Sequence, residues 1–360
     1  MIFSFAGPHD ENPFSWFSTG IKETLLEEGH SFVSDVSEAS LVFNFCHPDE
    51  PRFVRRNAQA VYVVTVTPVD PPFGGPMEKG YPILIRTMAN LLVALVDESE
   101  TLPTTHFVTL EQGHYTASGA LPEKEYFREV YRRILPLASS RLVVNNIFKP
   151  DLPQELWEGD EITAAIAEAG RKLDALNLLP TPFPMEKYLS PREQRHIKKL
   201  YGIGGLSYGN LSARLDETRF WMSASGVDKS NLQEIGRDIL LVQDYDPEQS
   251  AMVLSVPPDV EPRRVSVDAI EHWMIYREHP QVGAILHVHA WMDDVKSTEF
   301  NFPCGTHELG TAVADIVREA QDPARAVVGL KNHGLTIVGE SMDEIFQRVD
   351  GRLYQPVPMS

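Results

Sequence analysis

Residues 281–291 read QVGAILHVHAW, a short apolar run that carries two histidines two positions apart. The run is typical of a buried β-strand over residues 282–290, in which successive side chains point to opposite faces of a sheet. His287 and His289 therefore share one face, and Val288 lies on the other. Two imidazoles on one strand face are well placed to bind a single divalent cation.

A third histidine lies in the segment KNHG, residues 331–334, between apolar runs at residues 326–330 and 335–338. This pattern predicts a strand, a tight turn and a second strand, with His333 held at the turn. Three neutral imidazoles with an open fourth position form a catalytic site of the zinc type. The alternative is a pair of unrelated strand histidines, and the third histidine favours the metal site.

Three further segments place small polar groups near predicted turns: YGNLSAR at residues 208–214, FWMSASGV at 220–227 and VSVDAIEHWMIY at 265–276. The last segment is a predicted helix start. Hydroxyl and backbone N–H groups at such turns can bind a phosphate or carboxylate, although Gly-Asn and Ser-Gly are also ordinary turn formers. The polar residues concerned are Gly209, Asn210, Ser223, Ser225, Gly226, Ser266 and Asp268.

In this order, the motifs G-N-x-S, S-x-S-G, H-x-H and N-H-G-L resemble those of the class II aldolase/adducin family over roughly residues 160–348. The segment GTHEL at residues 305–309, before a predicted helix at 310–319, is also similar to the family pattern. The resemblance implies a class II aldolase-like α/β/α domain over residues 156–360. It also implies metal-dependent lyase or isomerase chemistry on small sugar phosphates and hydroxy-ketones, in a cyclic homotetramer with active sites at subunit interfaces.

The resemblance also assigns roles to individual residues. His287, His289 and His333 would bind Zn²⁺, or alternatively Mn²⁺, Co²⁺ or Fe²⁺. Asp268 matches the family's catalytic carboxylate, where aldolases usually carry glutamate and sugar-phosphate 4-epimerases carry aspartate. Glu271, one helical turn later, is an alternative to it, and a carboxylate that merely stabilises the helix N-terminus is the structural alternative. The phosphate-binding positions would be Asn210, Ser225, Gly226 and Ser266.

The chain departs from the family pattern between the H-x-H strand and GTHEL. This segment, residues 291–304, is short and lacks the tyrosine that donates a proton in sugar-phosphate aldolases. His307 is a candidate replacement acid, although a surface histidine is the simpler interpretation. Val267 stands where a second phosphate-binding serine is expected. The general acid and the presence of a phosphate on the substrate are therefore left open.

A site of three histidines predicts a reaction type, metal-stabilised enediolate or carbanion chemistry, rather than a substrate. We predict a metal-dependent aldolase or lyase that cleaves or forms a C–C bond in a hydroxy-ketone or sugar phosphate, with Asp268 moving the proton. A sugar-phosphate epimerase or a decarboxylase would use the same site. A non-catalytic, adducin-like scaffold would have no need of all three histidines.

Residues 1–155 are predicted to form a separate α/β domain of unknown role, bounded by the proline-rich segment 150–159. Strands alternate with helices, a pattern typical of a Rossmann-like or flavodoxin-like parallel sheet. No G-x-G-x-x-G or G-x-x-x-x-G-K-[ST] motif is present. His106, His114 and Tyr115, in a predicted surface loop, are a weak candidate ligand site. The predicted strands are residues 2–6, 41–46, 61–67 and 106–110, and the predicted helices are residues 19–28, 83–96 and 123–135.

Composition narrows the class of protein. The 51 acidic and 32 basic side chains give a net charge of −19, which disfavours binding to nucleic acid or to anionic membranes. Two cysteines, Cys46 and Cys304, are too few for a disulfide framework or a thiolate metal site. Without a signal-peptide pattern or a long apolar stretch, we expect a soluble, cytoplasmic protein that binds a small-molecule substrate.

Overall fold

The computed structural model describes residues 1–54, 61–98, 101–180, 185–195 and 208–360, which divide into two compact units. The first unit comprises residues 1–139, 183–203 and 359–360, and the second comprises residues 140–182 and 204–358. Residues 140–155, which we assigned to the first domain, thus lie in the second unit. The reason is that strand Asn145–Lys149 pairs in parallel with Ala251–Ser255 in the second sheet.

The first unit is built on a seven-stranded sheet. Its elements are β1 (Ile2–Ala6), α1 (Ser15–Glu27), β2 (Ser31–Phe32), β3 (Leu41–Phe45), β4 (Tyr62–Val69), α2 (Pro76–Arg86), β5 (Leu91–Val96), β6 (Thr104–Thr109), β7 (Gly113–Ala117) and α3 (Glu123–Ser139). The strand order is β2-β1-β3-β4-β5-β6-β7. Strands β1 to β5 pair in parallel, and β6 and β7 add two antiparallel strands at one edge. The predicted α/β class is confirmed, and the order of the parallel strands is that of flavodoxin-like folds.

One predicted helix is wrong over half of its length. We expected a helix at residues 83–96, but α2 ends at Arg86, and Leu91–Val96 is a central strand between β4 and β6. Met88 adopts a left-handed φ of 54°, which no helix interior accommodates. All six residues of β5 are buried. A short run that is apolar on every side has no periodicity to separate a strand from a buried helix.

The predicted strand at residues 106–110 is confirmed as β6. The surface loop predicted to follow it is wrong, because Gly113–Ala117 forms β7, which pairs antiparallel with β6. Nδ1 of His106 and Nε2 of His114 lie within hydrogen-bonding distance, at 2.9 Å. Burial lowers the pKa of His114 to about 4. Tyr115 stacks on Phe107 in the core and is only 2% exposed. Tyr115 is therefore a packing residue rather than part of a surface ligand site.

The second unit is built on a nine-stranded, mostly antiparallel sheet with the order β14-β15-β16-β13-β9-β10-β11-β12-β8. Along the chain these strands alternate with four helices that the structure describes. The elements are β8 (Asn145–Lys149), α4 (Glu161–Ala175), β9 (Asn210–Arg214), β10 (Phe220–Ser223), β11 (Ile239–Asp246), β12 (Ala251–Ser255), α5 (Ala269–Glu278), β13 (Ala284–Val288), β14 (Lys296–Ser297), α6 (His307–Glu319), β15 (Val327–Leu330), β16 (Gly334–Gly339) and α7 (Met342–Val349).

Helices cover both faces of this sheet. Consecutive side chains of β10 point to opposite faces. The ring of Phe220 packs on Tyr276 of α5, with centroids 4.7 Å apart, whereas Nε1 of Trp221 donates to Asp160 at the start of α4. Helix α6 packs beside α5, and α7 packs beside α4. The predicted α/β/α arrangement is therefore confirmed. Within the described ranges, no helix combines the length and the apolar character needed to cross a bilayer.

Candidate metal centre

Strand β13 brings His287 to the face of the sheet that α5 covers. The strand register pairs His287 with Asn210 of β9 on one side and with Thr336 of β16 on the other, so the three side chains share a face. The strand ends at Val288, and His289 follows at once. The ring centroids of His287 and His289 are 5.1 Å apart. The H-x-H pattern thus places both rings at one strand end, as predicted.

The turn between β15 and β16 delivers the third imidazole. Asn332 adopts a left-handed φ of 60°, a conformation that asparagine tolerates better than most residues, and the His333 N–H donates to the carbonyl of Leu330 at 3.0 Å. A side chain at Gly334 would overlap the carbonyl oxygen of Val288, so only glycine lets the turn approach β13 this closely. The ring centroid of His333 consequently lies 4.5 Å from that of His289.

The three imidazoles fit a metal ion. Each offers one ligand nitrogen, and these nitrogens lie within 4.8 Å of one another. Nδ1 of His287 is 3.0 Å from the carbonyl oxygen of Leu335, and donation to that oxygen leaves the lone pair on Nε2. Nε2 is buried and has no hydrogen-bond partner. A buried, unpartnered lone pair is costly in an apo protein and is what a metal ligand requires.

All three imidazoles are held in the neutral form. Burial lowers the pKa of His287 to about 4 and that of His333 to about 3. Burial, with the two neighbouring histidines, also lowers the pKa of His289 well below its ordinary value. Neutral imidazole is the form that binds a metal, so these residues need not lose a proton near neutral pH.

Asp268, at the N-terminus of α5, faces the same group. Although Asp268 is the N-cap residue, its carboxylate makes no capping hydrogen bond. Its Oδ2 instead accepts from Nδ2 of Asn210 at 2.7 Å, and its Oδ1 is buried without a partner. The capping alternative for Asp268 is therefore disfavoured, because the carboxylate is directed at Asn210 and the neighbouring His287 rather than at the helix backbone.

Glu271 lies one turn further along α5 and is 1% exposed. Its Oε1 accepts from the hydroxyl of Thr336, the residue paired with His287, and its Oε2 has no partner. Burial, and then the proximity of Asp268, raises the pKa of Glu271 to about 8. At neutral pH this side chain is therefore mainly a protonated acid, a state suited to proton donation.

The predicted phosphate-binding residues lie together, and we call this group the rim. It consists of Asn210, Ser225, Gly226 and Ser266. The Ser225 N–H donates to the carbonyl of Arg264 at 2.8 Å, and the Ser266 N–H donates to the carbonyl of Ser223 at 3.2 Å, which joins the S-x-S-G turn to the residues before α5. Gly226 adopts a φ of 70°, and no atom occupies the space where its Cβ would lie. Asn210 joins this rim through Asp268.

His307 lies elsewhere on the described surface of the second unit. It is the first residue of α6, with Nδ1 3.2 Å from Nη2 of Arg141 and 3.4 Å from the hydroxyl of Thr311. No hydrogen bond or ring contact between described residues joins it to the three histidines. Its role as a replacement acid has no support from these contacts and stays a prediction.

Two residues of the site were missed. Lys229, three positions after Gly226, is 3% exposed. Burial lowers its pKa to about 8, against the opposing effect of Asp268 and Asp228. A lysine in a polar turn looks solvent-exposed in sequence. Its burial depends on α4, where a side chain at Gly170 would overlap the carbonyl of Lys229.

The second missed residue is Cys304. Its Sγ lies 2.9 Å from Nε2 of His333. Cys304 also forms, with Asp268 and His287, a second group whose ligand atoms lie within 4.8 Å of one another. Because the chain has only two cysteines, the sequence argued against a thiolate metal site, and Cys304 was assigned no role.

Part of the chain is similar to known proteins. Residues 195–292 match the family described as Class II Aldolase and Adducin N-terminal domain. Methylthioribulose-1-phosphate dehydratase of Xanthomonas campestris pv. campestris is 34% identical over 88 residues, which cover 24% of this chain and 35% of that protein. The enzyme of the same name from Klebsiella pneumoniae is 24% identical over 174 residues, covering 40% of this chain and 79% of that protein.

Among solved structures, an L-fuculose 1-phosphate aldolase is similar at 16% identity, covering 55% of this chain and 92% of that one with a TM-score of 0.33. The match to the Xanthomonas relative spans only about a third of that relative's length.

Proposed function

We propose that this protein is a metal-dependent lyase of small sugar phosphates or related hydroxy-ketones, because residues 195–292 match the Class II Aldolase and Adducin N-terminal domain family. The observation that carries the proposal is the group of three buried, neutral imidazoles with the unpartnered Nε2 of His287. Its resident ion would be Zn²⁺, with Mn²⁺, Co²⁺ and Fe²⁺ as alternatives. Assembly as a homotetramer and a cytoplasmic location belong to the same proposal.

A divalent cation held by these histidines supplies stabilisation of the negative charge that develops on the ketone and neighbouring hydroxyl oxygens of a substrate. The chain's own residues then move the protons. Asp268 has one oxygen held by Asn210 and the other unpartnered, so it is the proposed general base. Glu271, whose raised pKa keeps it protonated, is the proposed donor that returns a proton.

The anionic group of the substrate would bind at the rim through Ser225, Gly226 and Ser266. With Val267 in place of a second serine, this rim offers fewer hydroxyls than the family pattern. We propose that Lys229 compensates for the missing serine, because its buried ammonium supplies positive charge close to Asp268. An anion that binds here would be partly dehydrated, which strengthens its attraction to the lysine.

Two reaction outcomes are open to the same base. Retro-aldol cleavage would begin with removal of the proton from a hydroxyl group, whereas dehydration would begin with removal of a proton from the carbon next to the ketone. Cleavage of a C–C bond would make the protein an aldolase, whereas loss of a hydroxyl group as water would make it a dehydratase. The dehydratase is the second candidate because both named curated relatives are methylthioribulose-1-phosphate dehydratases. The absence of a tyrosine in residues 291–304 also favours an outcome other than aldol cleavage.

The proposal is tested by the metal content of purified protein, measured by inductively coupled plasma mass spectrometry. We expect about one metal ion per chain in the wild type and its loss in His287→Ala and His333→Ala. His114→Ala, which removes a half-buried histidine of the first unit, should retain the metal. A wild-type protein that takes up no metal from added zinc, manganese, cobalt or iron salts would contradict the proposal.

The two outcomes are separated by incubating the loaded enzyme with L-fuculose 1-phosphate and with methylthioribulose 1-phosphate. Release of an aldehyde identifies an aldolase, and loss of water without fragmentation identifies a dehydratase. Mass spectrometry of the products distinguishes the two directly. Turnover of neither compound, with metal bound, would redirect the search to other hydroxy-ketones.

A further inference from the structure

We propose that Cys304 supplies a fourth ligand to the metal ion in the resting enzyme. This inference rests on the proposed metal site and adds to it a ligand that no sequence motif indicated. Sγ of Cys304 lies 2.9 Å from Nε2 of His333. Together with Asp268 and His287, Cys304 also forms a group whose ligand atoms all lie within 4.8 Å of one another.

Two groups of atoms that could bind a metal share His287. One group consists of His287, His289 and His333, and the other of Asp268, His287 and Cys304. Two side chains that the groups contain have buried atoms without partners. These atoms are Nε2 of His287, in a residue 1% exposed, and Oδ1 of Asp268, in a residue 5% exposed. Unpartnered polar atoms of this kind mark a position for an ion, and Cys304 lies beside it.

The path of the chain explains why the thiol is there. Gly305 adopts a left-handed φ of 71°, and a Cβ on it would lie 2.8 Å from Cβ of Val267. The chain therefore passes directly against the residue that precedes Asp268. On the other side, the hydroxyl of Thr306 donates to the carbonyl of Pro303 at 2.7 Å and accepts from the Leu309 N–H at the start of α6. Cys304 is held between these anchored neighbours.

Sulfur changes which ion the site prefers. Thiolate and imidazole together are typical zinc ligands, with a tetrahedral geometry and a Zn–S distance of about 2.3 Å. Carboxylate, carbonyl and water ligands suit Mn²⁺ better than thiolate does. When the ion binds, the thiol of Cys304 loses its proton to solvent and binds as thiolate. Among the four ions that the three histidines alone would allow, the proposal therefore favours Zn²⁺ over Mn²⁺.

The chain provides a matched control, because its other cysteine, Cys46, is buried in the first unit. X-ray absorption at the zinc edge should detect one sulfur at about 2.3 Å, beside nitrogen or oxygen at about 2.0–2.1 Å, in the wild type and in Cys46→Ser. Cys304→Ser should lose the sulfur contribution. In cobalt-loaded protein, the thiolate-to-cobalt charge-transfer band should be lost in Cys304→Ser and kept in Cys46→Ser.

The outcomes separate this inference from the proposed function. A bound metal with only nitrogen and oxygen ligands, and identical spectra in wild type and Cys304→Ser, would overturn the cysteine ligand and leave the lyase proposal intact. No bound metal in any form would contradict the lyase proposal and this inference together. Because the wild-type spectrum alone detects or excludes sulfur, the test holds even if Cys304→Ser does not fold.

Discussion

At the scale of single residues, the contacts of Asp268 bear on which of two roles it has. Its place at the start of a helix allowed two interpretations, a capping carboxylate or a catalytic one. The absent capping bond, the hydrogen bond from Asn210 and the unpartnered Oδ1 favour the catalytic role. A carboxylate used for capping would instead accept from the backbone N–H groups of the first turn.

Asp268→Asn should therefore lower kcat by roughly 10²–10⁴-fold, because the amide can bind Asn210 but cannot take up a proton. Metal content should stay at the wild-type level, since the three histidines are unchanged. Steady-state kinetics with the identified substrate, together with metal analysis, provide the measurement. Asp315→Asn, on the exposed face of α6, is the matched control and should leave kcat unchanged. Near-normal turnover in Asp268→Asn would contradict the assignment of Asp268 as the general base and leave Glu271 as the candidate.

At the scale of secondary structure elements, the turn between β15 and β16 holds His333, a proposed metal ligand. The position of His333 depends on the next residue, Gly334, which has no side chain. Gly334 lies against the carbonyl of Val288, immediately before His289. The turn, rather than the histidine itself, sets the distance between His333 and the other two imidazoles. A substitution in this turn should therefore move His333 relative to the other two imidazoles, although none of the three histidines is replaced.

Gly334→Ala is predicted to reduce metal affinity and to lower the free energy of unfolding by roughly 1–3 kcal/mol, because the added methyl group forces β16 away from β13. Zinc titration with a competing chelator and urea denaturation measure the two effects. Gly74→Ala, in the first unit, adds the same methyl group where no atom lies within 4 Å and should change neither quantity. Wild-type zinc affinity in Gly334→Ala would show that the backbone relaxes at no cost.

At the scale of the whole molecule, buried ionisable groups set how stability depends on pH. Burial lowers the pKa of His272 to about 3, as it does for His333, and that of His287 to about 4, from an ordinary value of 6.5. Below pH 6.5 the unfolded chain therefore binds more protons than the folded chain. Glu271 has the opposite effect on stability. Its pKa is raised from 4.5 to about 8, so between pH 4.5 and 8 the folded chain binds one more proton at this residue than the unfolded chain does.

The metal-free protein should consequently be most stable near pH 6.5. Below it, stability should fall by roughly 1.4 kcal/mol per pH unit for each buried histidine, offset in part by Glu271. Between pH 6.5 and 8, stability should fall again, because the folded chain keeps Glu271 protonated whereas the unfolded chain has released this proton. Urea denaturation of chelator-treated protein at pH values below and above 6.5 measures both declines in stability. Glu271→Gln should remove the decline above pH 6.5 and keep the decline below it, and a flat wild-type profile would refute the argument.

Features that depend on neighbours along the chain were determined by the sequence alone. The apolar runs at β1, β3, β4 and β13 and the H-x-H and N-H-G patterns predicted the α/β layers and three candidate metal-binding histidines. Each of these signals is a local period or a local motif, and local sequence carries it completely. The prediction of strand–turn–strand around His333 succeeded for the same reason.

The remaining features were decided only by the tertiary structure, because they depend on which distant segments become neighbours. Leu91–Val96 is a strand because it lies between β4 and β6, although its composition suits a buried helix equally well. Lys229 is buried only because α4 packs on its backbone, and Cys304 meets His333 only because the chain before α6 passes against Val267. The burial of a side chain and its distance from a remote segment depend on how the elements pack, and no local sequence pattern encodes them.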